Sequence, residues 1–293
     1  MLVFSIVLKL SVIIVNYNAK KELENCLLSL QKAVSGIQNE IIVIDNNSTD
    51  NSLEYLEPLF SEVKFIRNPD NVGFSKACNQ GTSLSSGEII LFLNPDTIIP
   101  ENCIDQCISY IKLYNNTGAV GVRMIDQNGK FLKESKRGFP SPAVSFYKLF
   151  GLTKIFPRSK TFGKYYMTHL PEKENNEVDV LSGAFMMISR HVFSETGGFD
   201  ESFFMFGEDI DLSHRIKESG YKNYYLGRIT ITHLKGRSTL NKRQRIHHFY
   251  NAMYIFVKKH FKGNYPFIVL FFINRGIWIR KQITLISTLF LFI

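Results

Sequence analysis

Two short stretches hold the side chains best suited to chemistry. An apolar run from Glu88 to Leu93 (EIILFL) ends in Asn94-Pro95-Asp96, a turn that offers one carboxylate at the end of a strand. About a hundred residues later, Phe206-Gly207-Glu208-Asp209-Ile210-Asp211 sets three carboxylates within four residues at the start of a helical pattern. Carboxylates gathered in one cleft repel one another unless a cation, a proton or a positive charge on a substrate compensates. One group holding a metal ion and another handling a proton is the chemistry this pairing could perform.

The elements needed to bring them together are legible. Leu10 to Val15 (LSVIIV) is a β-branched run ending in Asn16-Tyr17-Asn18, and Lys20 to Val34 has helical spacing. Glu40 to Ile44 is a second strand, ending in Asp45-Asn46-Asn47-Ser48-Thr49-Asp50; a helix over Leu53 to Phe60 leads to a third, Val63 to Ile66. Asn71-Val72-Gly73-Phe74, a helix over Lys76 to Leu84 and the strand before Asn94 follow. Short apolar runs separated by helices predict βαβ units, hence an α/β fold with a doubly wound, mostly parallel sheet buried on both faces. Every polar cluster falls at a strand's C-terminal end, the edge where open parallel sheets bind ligands. No G-x-G-x-x-G follows the first strand and no G-x-x-x-x-G-K-[ST] occurs, so the usual dinucleotide and P-loop signals are missing.

From Ala119 the pattern changes. Ala119 to Met124 reads as a strand, and Asn128-Gly129 signals a hairpin before Phe131. Residues 136–176, with Lys136, Arg137 and many aromatics, show no period; they form either an excursion near a substrate mouth or a solvated basic loop. Val178 to Ser189 gives strand-like runs around Ser182-Gly183-Ala184, and Gly197-Gly198-Phe199-Asp200 is a turn.

Composition sets the outer limits. A chain of 293 residues with 45% apolar content can bury a sizeable core. Cys26, Cys78, Cys103 and Cys107 form no C-x-x-C pair and read as buried thiols, in keeping with a reducing cytoplasm. The apolar N-terminus is broken by Lys9 and lacks a basic leader and a cleavage site, so a signal peptide is not expected. The formal charge is +9, concentrated between Lys235 and Lys262, where Ile246, Phe249, Tyr250, Met253, Val257 and Phe261 recur at helical spacing: a basic amphipathic helix. Tyr265 to Ile293 is strongly apolar but interrupted by Arg275, Arg280 and Lys281, which favours an in-plane membrane segment over a span, with a core helix packed on the domain as the alternative. Nucleic-acid binding is not expected, because zinc-finger spacing, a helix-turn-helix signal and an aromatic RNA platform are all missing, and basic charge beside an apolar tail fits anionic lipid better.

The ordered set SVIIVNYN (Ser11 to Asn18), VIDNNSTDNS (Val43 to Ser52), NVGFSKACNQG (Asn71 to Gly81), LFLNPDT (Leu91 to Thr97), LSGAFMMISR (Leu181 to Arg190), GGFDESFFMFGEDIDLSHR (Gly197 to Arg215) and HLKGRS (His233 to Ser238) resembles glycosyltransferase family 2. Within it the chain looks most like the rhamnosyltransferase-type enzymes that build bacterial surface polysaccharides. The resemblance implies a GT-A fold over residues 1–240, with a nucleotide-sugar half (about 10–118) and an acceptor half (119–240), followed by the basic helix and apolar tail of residues 241–293. It implies inverting transfer with a divalent cation, Mg²⁺ or Mn²⁺, on the donor diphosphate. Asp96 would be the metal-binding carboxylate, with His233 a second contact, and Asp209 the catalytic base. Val15, Tyr17, Asp45, Asn71, Gly73 and Asn94 would contact the donor, and Glu208 and Arg215 the acceptor or a phosphate.

Chemistry supports these roles. A cation held by hard oxygens stabilises the departing nucleoside diphosphate, and a carboxylate must take the proton of the attacking hydroxyl. Asp209, after the apolar FFMF segment, is placed for partial desolvation and a raised pKa. Many family members carry Asp-x-Asp where this chain has Asn94-Pro95-Asp96, so the first position offers no charge and Asn94 reads equally as a turn residue. Glu208 and Asp211 also suit a helix's first turn, Arg215 can pair with Asp211 at i,i+4, and a lone His233 can be structural. The expected donor is a deoxythymidine-diphosphate sugar, rhamnose first and a UDP-sugar second. The expected acceptor is a lipid-linked saccharide at the cytoplasmic face of the cell membrane. A non-catalytic nucleotide-sugar-binding protein on a membrane is the rival reading, which a turnover assay separates.

Overall fold

In the computed structural model, which describes residues 9–144, 155–156, 159–234 and 241–290, β1 (Leu10–Asn16), β2 (Asn39–Asp45), β3 (Val63–Arg67) and β4 (Ile89–Leu93) lie parallel in the order β3-β2-β1-β4. The connecting helices are α1 (Lys20–Ala33), α2 (Ser52–Leu56) and α3 (Phe74–Ser83). α2 stops short of the expected Phe60 because Pro58 has no N–H with which to continue the helical ladder. β1 and β4 are buried along their whole length because both faces are covered, whereas β3, at the sheet edge, exposes Lys64 and Arg67. Val12 and Ile14 pack with Leu23, Leu27 and Cys103 on one side, while Ile13 packs with Ala77, Cys78 and Leu212 on the other. The strand order reverses between β1 and β4, which opens a crevice at their C-terminal ends.

Beyond β4 come β5 (Thr97–Ile98), α4 (Cys103–Leu113), β6 (Thr117–Ile125), β7 (Lys136–Arg137), β8 (Asn175–Val178), β9 (Val180–Leu181), β10 (Phe185–Ser189), α5 (Arg190–Glu195), α6 (Glu208–Glu218) and β11 (Lys222–His233). β10 inserts antiparallel between β4 and β6, and β11 runs parallel to β6 and antiparallel to β5 and β8. The result is a mixed α/β fold with a parallel block extended by antiparallel strands. β7 and β9 pair apart from the main sheet, and the Asn128-Gly129 turn closes on an Ile125–Phe131 bridge, as its sequence suggests. All four cysteines are buried free thiols.

The reading of residues 136–176 as a solvated basic loop is corrected at its start. Lys136 is only 1% exposed, and its Nζ donates to the carbonyls of Met167 (2.7 Å) and Leu170 (2.9 Å), so it ties the excursion to the sheet. Burial lowers its pKa to about 8. Residues 145–154 and 157–158 of the excursion, and residues 235–240 of the HLKGRS motif, lie outside the described residues.

The chain ends in α7 (Lys242–Phe256), one turn of π-helix (Val257–Phe261) and α8 (Phe267–Phe290). Asn241 caps α7 by accepting from the Gln244 N–H at 2.8 Å. The apolar stripe expected there divides: Tyr250, Val257 and Phe261 join a separate core with Phe203 and Ile277, whereas Phe249 is 46% exposed. Among the described residues, no helix is long and apolar enough to cross a membrane.

Candidate active site

The polar clusters converge on a cavity of about 640 Å³ at the C-terminal edge of β1 and β4. Val15, Tyr17, Asn71, Gly73, Asn94, Asp96, Glu208, Asp209 and His233 all line it. Asp45 lies behind the wall: Asn16 Nδ2 (2.7 Å), the Ser48 hydroxyl (2.6 Å) and the Ser48 N–H (2.9 Å) all donate to its carboxylate. Its neighbour Asn46 lines the cavity instead, donating to the Gly73 carbonyl at 3.1 Å and accepting from Asn68 Nδ2 at 2.9 Å.

Asp96 and His233 meet because β5 pairs antiparallel with the end of β11, with His233 opposite Thr97. The Leu234 N–H donates to the Asp96 carbonyl at 2.8 Å, and His233 Nε2 stands 3.0 Å from Asp96 Oδ1. His233 is 8% exposed and its buried Nδ1 has no hydrogen-bond partner. A carboxylate oxygen and an imidazole nitrogen this close fit a shared divalent cation, with diphosphate oxygens and water supplying the remaining ligands. Among the described residues there is no group of three or more His, Cys, Asp or Glu that could hold a metal ion. Asn94 lines the cavity with its backbone fixed as a turn: its N–H donates to the Ala184 carbonyl (3.0 Å) and its carbonyl accepts from the Thr97 hydroxyl (2.8 Å).

The second cluster depends on an unusual entry into α6. Phe206 (φ 68°) and Gly207 (φ 85°) both adopt left-handed backbone, turning the chain so that the helix begins on Glu208 and Asp209 inside the cavity. A phenylalanine at positive φ is strained, and such strain gathers at functional sites. The loop before it docks on the start of α3, where the Phe74 N–H donates to the Phe204 carbonyl at 2.7 Å. A Cβ at Gly73 would lie 2.5 Å from that carbonyl oxygen, so only glycine permits the contact.

Asp209 is held by a residue the sequence did not single out. Arg137 Nη2 lies 2.5 Å from Asp209 Oδ2, and the Gly183 N–H reaches the same oxygen at 3.2 Å. Oδ1 has no protein partner among the described residues. Burial disfavours the Arg137 charge, but Asp209 more than offsets it and keeps the guanidinium protonated. Glu208 carries the raised carboxyl: burial first, and the charge of Asp209 second, push it to about 8. Glu208 Oε2 has no hydrogen-bond partner among the described residues, whereas Asp209 is paired with Arg137.

Arg215 is not among the residues lining the cavity. It pairs with Asp211 at 2.7 Å, as the i,i+4 spacing suggests, and donates to the Thr196 carbonyl. Asp211 is fully buried; burial would raise its pKa, but His260, Lys259 and Arg215 together hold it well below the usual carboxylate range. Arg245 and Phe249 of α7 also line the cavity, and His248 stacks on Phe204 with ring centroids 4.4 Å apart. Their only signal in the sequence was helical spacing in a basic stretch.

Residues 11–197 match the family described as Glycosyl transferase family 2, and residues 163–251 that described as N-terminal domain of galactosyltransferase. The chain is 28% identical over 243 residues to the N-acetylglucosaminyl-diphospho-decaprenol L-rhamnosyltransferase of Mycobacterium tuberculosis, covering 78% of this chain and 77% of that protein. The crystal structure of GalNAc-T7 with UDP, GalNAc and Mn²⁺ superimposes with a TM-score of 0.59 at 18% identity, over 86% of this chain and 48% of that one. The mannosyltransferase PcManGT from Pyrobaculum calidifontis, in complex with GDP-Man and Mn²⁺, gives 0.58 at 14% identity, over 87% and 66%. At these identities the structures speak for the GT-A fold, and the match over residues 11–197 shows that this chain is a glycosyltransferase belonging to family 2.

Proposed function

We infer that the protein transfers a sugar, rhamnose in the first instance, from a nucleoside diphosphate to a lipid-linked saccharide at a membrane surface, with inversion. The observation that carries this reading is one cavity lined by both the Asp96–His233 pair and an Asp209 whose Oδ2 is held while Oδ1 has no partner among the described residues. Arg137 and the Gly183 N–H fix the carboxylate's orientation, so that Oδ1 can accept the proton of an acceptor hydroxyl as it attacks the anomeric carbon. Glu208, protonated at neutral pH, adds no second negative charge beside it. Val15, Tyr17, Asn46, Asn71 and Gly73 form the wall for base and ribose, and Asp45 supports that wall through Asn16 and Ser48. A Mg²⁺ or Mn²⁺ between Asp96 and His233 would neutralise charge developing on the departing diphosphate. The lipid-linked acceptor and the membrane setting rest on the decaprenol-linked acceptor in the mycobacterial relative's name and on the basic, apolar C-terminal segment.

Competition between dTDP and UDP tests the donor. Thymine and uracil differ by a methyl, worth about 1 to 3 kcal/mol in an apolar pocket, whereas a site built around a 2′-hydroxyl loses a partner with deoxyribose. UDP binding about tenfold or more tightly would replace rhamnose with a UDP-sugar and leave the mechanism standing. Absence of turnover with any nucleotide sugar, despite binding, would favour the non-catalytic reading.

A further inference from the structure

A second concavity, of about 680 Å³, lies away from the active site between the π-helical turn and α8. Its floor is apolar, with Val257, Leu270 and Phe271, and its rim carries Lys258, Lys262 and Arg275. None of these three has a carboxylate partner among the described residues. Lys259, in the same turn, is by contrast held by Asp200 at 2.5 Å and Asp211 at 2.8 Å. Around the groove, α8 exposes large apolar side chains that the domain does not cover: Phe267 is 81% exposed, Phe272 66% and Trp278 49%. The charge of the chain is divided just as sharply. Thirteen of the 35 Lys and Arg residues follow Glu218, and none of the 26 Asp and Glu residues does.

We propose that this groove docks on the surface of a bilayer containing acidic phospholipid, with Lys258, Lys262 and Arg275 meeting lipid phosphates and Phe267 and Trp278 entering the interface. Apolar surface rimmed by cations that have no carboxylate partner among the described residues, Arg275 lying over the Phe271 ring at 5.3 Å, matches the two layers of such a surface, acyl boundary below and anionic headgroups above. α8 lies in the plane, since no described helix suits a span. The π turn beside the groove is tied to the helix that carries Asp209. Lys259 and His260 of the π turn both reach the buried Asp211 at 2.8 Å, and Asp211 stands two residues after Asp209 on α6. Docking would therefore hold the cavity at a fixed attitude to the membrane. The proposal rests on the reading of a membrane-borne acceptor and adds where the surface is met and by which groups.

Trp278 is the chain's single tryptophan and lines the groove, so its emission reports occupancy directly. Full-length protein titrated with vesicles of equal phosphatidylcholine and phosphatidylglycerol is expected to shift its emission to the blue and to co-sediment, more weakly as salt rises. Phosphatidylcholine alone, or inorganic phosphate, should give no such shift. The exposed triple variant Lys258→Gln, Lys262→Gln, Arg275→Gln should bind the acidic vesicles about a hundredfold more weakly, about fivefold for each charge. The control Lys242→Gln, Arg243→Gln, at the far end of α7, should lose less than about tenfold. Equal loss in the control, wild-type binding by the triple variant, or the same shift with phosphatidylcholine or phosphate would overturn the proposal. So would shielding of Trp278 that grows with protein concentration without lipid, which would give the groove to a second copy of the chain. Nucleoside-diphosphate affinity and transfer to a soluble acceptor, measured on the same preparations, keep the readings apart. Transfer without vesicle binding sinks only the docking site, and vesicle binding without transfer sinks only the proposed transferase role.

Discussion

At the ends of β1 and β2 the polar side chains bond mainly to one another. Asn16 and Ser48 hold Asp45, Asn18 accepts from the Thr49 N–H at 2.5 Å, and Asn46, Asn68 and Gln80 form a chain. Around Asp209 the partners come from afar. Arg137 arrives from a separate two-stranded pairing 72 residues earlier and Gly183 from the turn before β10, while Phe249 and Arg245 of α7 line the same cavity. The first wall is set by short segments at a sheet edge, and the second exists only when four distant segments are assembled. The first wall is a preformed surface; the Asp209 cluster of the second depends on packing that a single side chain can disturb.

The largest effect should come from the second wall. Asp209→Asn is expected to lower transfer by about a hundredfold or more, as removal of a general base does, while nucleoside-diphosphate affinity stays within about twofold. Near wild-type turnover would remove Asp209 from the role of base.

Beside the first wall, where the end of β11 meets β5, Asp96→Ala should weaken Mn²⁺-dependent nucleoside-diphosphate binding by about tenfold, and His233→Ala by less, because each retains one of two protein ligands. Titrations with and without EDTA decide this. Equal wild-type affinity in both would mean that no metal bridges the pair.

Glu208 gives a pH signature. Its native pKa of about 8 lies above its ordinary 4.5, so between these values the folded chain keeps a proton that the unfolded chain has lost. Stability linked to this group is complete below pH 4.5 and falls as pH rises toward 8, by about 1.4 kcal/mol per unit. Urea unfolding at pH 6 and pH 7 should therefore show Glu208→Gln gaining on the wild type by about that amount. Parallel behaviour of the two proteins would mean that Glu208 is not the carboxyl that burial perturbs.

The smallest effect is expected from deleting Tyr265 to Ile293. Asp211 keeps Lys259 and His260, and Ile277 is the one residue of that segment in the fully buried part of the C-terminal core among the described residues. The truncated protein should melt cooperatively, only a few degrees lower. Loss of a cooperative transition in thermal circular dichroism would make α8 part of the domain's core.

The parallel block was legible because a continuous β-branched run buried on both faces admits few other structures, and Asn, Asp and Ser after such runs mark the ligand edge. The insertion of β10 beside β4 was not legible. Phe185–Ser189 would be equally apolar in a parallel or an antiparallel partner, and only neighbouring strands select the direction. Lys136 and Arg137 illustrate the same limit: two adjacent basic residues fitted an excursion near a substrate mouth and a solvated loop equally, and only the fold buries one on backbone carbonyls and the other on Asp209.

By itself the sequence determined which side chains are candidates for the chemistry and that most stand at strand or helix ends, because strand and helix periods and turn residues are local properties. It also determined the division of charge between the first 218 residues and the remainder. Tertiary structure decided which oxygen of Asp209 is held by Arg137 and Gly183, that burial drives the Glu208 carboxyl up, and that Asp45 lies behind the cavity wall while Asn46 lines it. These outcomes depend on burial and on partners far along the chain. Desolvation and charge pairing act through distances in space, which no local spacing of residues encodes.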